Sequence, residues 1–69
     1  MFSYRLRKAT QTRSFSITDD LASGWDVREE QDGQIVREVR YLDWHRVERA
    51  RRAFERQRAA LREDGWVEV

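Results

Sequence analysis

The sequence predicts an α+β fold: a three- to four-stranded antiparallel β-meander followed by one long C-terminal α-helix packed on one face. Three observations carry this. Apolar and polar residues alternate from Phe2 to Arg7 and again from Ser14 to Ile17, the period of a strand with one buried side. An Asp32-Gly33 turn signal separates two further extended segments. From Asp43 to Asp64 the chain has no Pro or Gly, and Val47, Phe54 and Leu61 recur every seven residues.

The first strand is expected at about 2–8, with Phe2, Tyr4 and Leu6 inward and Ser3, Arg5 and Arg7 outward. Lys8 to Thr12 is polar and reads as a loop. The second strand, about 13–18, turns Phe15 and Ile17 inward. Thr18 or Asp19 is placed to cap a single helical turn that Gly24 would end. Trp25 and Val27 open a third strand, about 25–30, and the fourth runs over about 34–42. A two-residue loop at Asp32-Gly33 would set Trp25 and Val27 opposite Arg40 and Glu38. A three-residue loop, Gln31-Asp32-Gly33, sets Trp25 opposite Val39 and Glu29 opposite Ile35. Only the second gathers Trp25, Val27, Ile35, Val39 and Tyr41 on one face, so it is the expected register.

The helix is expected at about 43–64. Asp43 suits the N-cap, with Leu42 and Val47 at staple positions, and Gly65 suits the left-handed C′ position. Ala50, Ala53, Gln57 and Ala60 fill in around the apolar stripe. Glu48 can meet Arg51 and Arg52, Arg51 can meet Glu55, and Glu55 can meet Arg58, each pair contributing only ~0.2–0.5 kcal/mol. The tail either seals the core with Trp66 or adds a short edge strand. The expected core is Phe2, Tyr4, Leu6, Phe15, Ile17, Trp25, Val27, Ile35, Val39, Tyr41, Val47, Phe54, Leu61 and Trp66.

Sixty-nine residues, 1–69, make a single small domain, which is marginal alone at this size. With no Cys, neither a disulfide nor a thiolate metal site can reinforce it. The N-terminus lacks the apolar run of a leader or a membrane span, so a soluble cytoplasmic protein without membrane contact is expected. The dominance of Arg over a single Lys suggests a GC-rich bacterial genome.

The net charge is only +1, but it is unevenly placed. Residues 1–18 hold Arg5, Arg7, Lys8 and Arg13 with no acid, whereas 19–38 hold seven acids against Arg28 and Arg37. The helix holds seven arginines against five acids. Pairing across neighbouring strands is the simple explanation; a basic patch for an anionic partner is the sharper one. Arg46, Arg49, Arg52 and Arg56 are expected along one outer flank of the helix, and Arg5, Arg7, Arg28 and Arg40 on the outward sheet face or its edges. These eight are the candidate contacts for a partner or a nucleic acid.

No catalytic, metal or cofactor motif is present. His45 is the only His and has no converging nucleophile or second carboxylate. The acids at Asp19-Asp20 and from Asp26 to Asp32 lack the spacing and glycine of a calcium loop.

The order of elements resembles that of some single-strand-binding modules, such as the transcriptional coactivator fold. That resemblance implies basic side chains tracking phosphates and aromatics stacking on bases. Most rings here are expected inward, leaving Tyr4, Tyr41, Trp44 and Trp66 as the stacking candidates. The leading expectation is therefore a non-enzymatic protein-interaction module, self-associating as a homodimer or taking an unidentified protein partner. The alternative is weak, salt-sensitive binding of single-stranded DNA or RNA. An enzyme centred on His45 comes last.

Overall fold

The structure is a computed structural model that describes residues 2–20 and 24–69. Four strands form an antiparallel meander: β1 (Phe2–Lys8), β2 (Gln11–Asp20), β3 (Gly24–Gln31) and β4 (Gln34–Tyr41). The helix α1 (Trp44–Glu63) follows, and a two-residue strand β5 (Val67–Glu68) ends the chain. The sheet order is β4-β3-β2-β1-β5, so it has five strands where three or four were expected. The additional strand comes from the tail, which runs antiparallel along β1 with Leu6 opposite Glu68, while the Val69 amide donates to the Arg5 carbonyl at 2.9 Å.

β2 starts two residues earlier than its alternation suggests. A turn of only Ala9-Thr10 joins it to β1, with Lys8 opposite Gln11 and Ala9 at φ 54°. Thr18 to Asp20 continue β2, so they cap no helical turn. The rest of that expected turn, 21–23, lies outside the described residues.

The β3–β4 hairpin corrects the expected register. Its loop has two residues, with Gln31 opposite Gln34 and both Asp32 (φ 52°) and Gly33 (φ 82°) left-handed, as a mirror-image type I turn requires. The inward face is rescued by a β-bulge. Glu30 faces Ile35 but Glu29 faces Arg37, so Val36 is an extra residue on β4. Beyond it Val27 faces Val39 and Trp25 faces Tyr41, all on the core side. Ile35 lies before the bulge and is 52% exposed, so it is not core. Val39 is half-buried, outside the core cluster.

Tyr4, Leu6, Phe15, Ile17 and Val27 on the sheet and Val47 and Phe54 on α1 form the buried core. Phe2, Trp25, Tyr41, Ala50, Leu61 and Trp66 pack around it. Rings dominate: Tyr4 stacks on Phe15 at 4.7 Å, and Phe54 meets Phe15 edge-on at 5.1 Å. Each such buried side chain contributes about 1.5–3 kcal/mol of hydrophobic free energy.

Both helix ends are capped. The Asp43 carboxylate accepts from the Arg46 amide at 3.0 Å. At the other end the Trp66 amide donates to the Leu61 carbonyl and the Gly65 amide to that of Arg62, with Gly65 at φ 97°. That is the Schellman arrangement, closed by Leu61 and Trp66 packing on the core. Leu42 is 76% exposed and forms no staple. Among the expected helix pairs, only Arg51–Glu55 forms, at 3.2 Å; Arg58 reaches Glu68 on β5 instead.

Candidate functional site

α1 lies across the sheet and meets β4 as well as β2 and β3, but it buries β4 least. Among the described residues of β4 none is buried, whereas β1, β2 and β3 each bury at least one. An open groove of about 440 Å³ results between the strand and the helix. Its apolar surface is Val27, Tyr41, Ala50, Ala53 and Phe54, and Arg37, Arg46 and Arg49 edge it. The helix spacing explains this: Arg46, Arg49, Ala50, Ala53, Gln57 and Ala60 share one flank at steps of three and four. None of the helix acids Glu48, Glu55 and Glu63 lines the groove. The small alanines leave the groove open. Beyond it, no described strand pairs with the far edge of β4.

The candidate arginines separate into two groups. On the outward sheet face Arg28 donates to Glu38 at 2.9 Å, and Arg40 to Asp26 at 3.0 Å while also meeting Asp20 at 3.0 Å. These bonds push both guanidinium groups above their ordinary values, chiefly through the hydrogen bonds to Glu38 and Asp26 respectively. Arg5 donates to Ser14 at 3.2 Å, and Arg7 is exposed opposite Val67. Cross-strand pairing thus accounts for much of the uneven charge. On the helix, Arg46 and Arg49 edge the groove, with Arg46 also 3.4 Å from Asp43. Arg52 and Arg56 are exposed, Arg52 in a shallow depression with Asp43, His45, Arg46, Glu48 and Arg49.

Arg37 was absent from the sequence-derived candidates. The expected register already turned it inward, opposite Val27, but its charge argued against a groove role; in the structure it lies opposite Glu29 on the core side. Among the described residues Arg37 and Arg49 hold no ion pair.

Of the stacking candidates, Tyr4 is buried and Trp66 half-buried. Tyr41 lies in the groove, and Trp44 packs at 5.5 Å on Trp25. His45 is exposed, and among the described residues no cluster of three or more His, Cys, Asp or Glu could hold a metal ion. No described helix is long and apolar enough to cross a membrane. No protein-family model, curated protein sequence or solved structure matches the chain.

Proposed function

We propose that this chain is a small non-enzymatic interaction module that engages a protein surface through β4 and the adjoining groove. The observation that carries the reading is the far edge of β4, unpaired among the described residues, beside an apolar groove. Such an edge offers a row of main-chain donors and acceptors, and neighbouring pockets can select side chains. The outward sheet face is a poorer candidate, because Arg28 and Arg40 are already held by acids of the same face.

A second reading has one observation in its favour. The groove lining that includes Arg46 and Arg49 holds no acid, and Arg37 faces them across it. A single-stranded nucleic acid could lay its phosphates there, with Arg52 and Arg56 farther round the helix.

One pair of experiments separates the two. Val39→Lys puts a charge on the inward face of the edge strand, a device that blocks strand addition. Sedimentation of wild type and variant from micromolar to millimolar concentration should show association in the wild type alone. An NMR titration with a mixed-sequence single-stranded oligonucleotide, at low and moderate salt, provides the second arm. Amide shifts over Arg46 to Arg56 that fade with salt, alongside an unassociated wild type, would replace the interaction reading with the nucleic-acid one.

A further inference from the structure

We infer that the partner at β4 is a second copy of this chain, joined antiparallel in the one register centred on Val39. The inference rests on the interaction reading above and makes it specific. β4 ends the sheet, runs for eight residues, contains no Pro and has no fully buried residue. Two copies related by a two-fold axis through this edge present the same surface to one another. Inward residues must then meet inward residues, since a slip of one residue would exchange the faces. On β4 past the bulge, the inward set is Arg37, Val39 and Tyr41, which share a face with Val27 and Trp25.

This leaves few registers, and charge removes most of them. Centring on Arg37, Glu38 or Arg40 sets that residue directly against its own copy, and like charges directly opposite destabilise a sheet. Centring nearer either end leaves about half the strand unpaired. Centring on Val39 sets Val39 against Val39. It sets Glu38 against Arg40 on the outward face, twice by symmetry. It sets Arg37 beside Tyr41 on the groove side, also twice, where a guanidinium over a ring is favourable. Val36 and Leu42, 51% and 76% exposed, fall opposite each other.

Existing bonds extend this match. Asp26 already orients Arg40, and Arg28 already orients Glu38. Across the junction they would form one row of alternating charge: Asp26, Arg40, Glu38, Arg28. No side chain in the row needs a new rotamer-fixing partner of its own.

The chain has no Cys, so single-cysteine variants report cleanly. Opposed residues in an antiparallel pair bring Cα atoms within ~4.5–5.5 Å, inside the span a disulfide bridges. Val39→Cys is expected to form a covalent dimer under mild oxidation. Val67→Cys lies on the opposite edge of the sheet, where Val67 is 65% exposed. If random collision governed the reaction, Val67→Cys would be the faster. The expected order is the reverse, by roughly tenfold, because held thiols meet at a high effective concentration. The wild type provides an independent measurement: hydrogen exchange at the amides of 36–42 should slow as protein concentration rises. A wild type that associates while only Val67→Cys cross-links would overturn this register and leave the interaction reading standing. A wild type monomeric at millimolar concentration, with exchange at 36–42 independent of concentration, would overturn the second copy as partner.

Discussion

The hydroxyl of Tyr4 donates to the main-chain carbonyl of Phe54 at 2.6 Å, tying the middle of β1 to the middle of α1. Arg58 lies over the same ring at 5.1 Å and continues to Glu68 on β5. Burial pushes the Tyr4 phenol up to about 12, against the opposing influence of Arg58 and Arg13. Its folded-state value lies above its ordinary value, so the unfolded chain gives up this proton first. The stabilisation is complete below about pH 10 and is lost as pH climbs toward 12. Over that window the loss approaches about 3 kcal/mol. Urea melts between pH 9 and 12 should show this alkaline limb in the wild type, and Tyr4→Phe should lack that part of it. Equal pH slopes in the two proteins would show that Tyr4 is not the group responsible. At neutral pH the same substitution costs about 1 kcal/mol, the net value of one hydrogen bond.

Phe54→Ala tests the packing of helix on sheet. Phe54 is 5% exposed and touches the rings of Phe2 and Phe15. Truncation should cost about 3–5 kcal/mol by chemical denaturation, most of the stability of so small a chain. An unchanged midpoint would contradict the core described above.

Gly24 opens β3 at φ 113°, and a Cβ there would run into the carbonyl oxygen of Tyr41. The obstacle is backbone, so it cannot swing aside. Gly24→Ala should destabilise by at least about 2 kcal/mol, combining left-handed strain with the clash. Gly33→Ala provides the comparison: it shares the strain, at φ 82°, but meets open space. Thermal melts should rank Gly24→Ala as the more damaging of the two.

Arg13 and Glu29 form an ion pair at 3.0 Å, each with less than a fifth of its side chain exposed, and among the described residues Nε of Arg13 has no hydrogen-bond partner. Glu29→Ala strands the guanidinium and should cost about 3 kcal/mol. The double variant Arg13→Met/Glu29→Leu should recover most of that loss, because an apolar pair of similar volume carries no desolvation penalty. A double variant no better than Glu29→Ala in chemical denaturation would count against this account.

The strands and helix were legible because alternation and the seven-residue recurrence report directly on burial. Asp43 and Gly65 were legible because caps act through local geometry. The sheet's own pairing hid the rest. Nothing between Gly33 and Tyr41 announces that Val36 is supernumerary, since both possible loops satisfy local turn chemistry. The three-residue loop reached the right face for Trp25, Val27, Val39 and Tyr41 by the wrong route, and so misplaced Ile35. Arg13 and Arg37 were also hidden, because alternation marks them inward while their charge argues outward. Arg13 resolves that conflict by meeting Glu29 and lying over the Phe15 ring at 5.3 Å. The candidate groove was the least legible feature. It depends on how fully the helix fills the space over each strand, and no periodicity records that.

The bulge at Val36 gives the fourth strand one position that is tolerant in length as well as in identity. Val36 is half exposed, so many side chains could stand in its place at little cost. Removing it is tolerated for a related reason: with the turn at Asp32-Gly33 held, Arg37 would follow Ile35 directly and still face Glu29, so every later residue of the strand would keep its side and the ladder would become regular. Across divergent descendants of this chain, position 36 should therefore drift freely in residue type, and loss of that one residue should leave Val39 and Tyr41 facing the core.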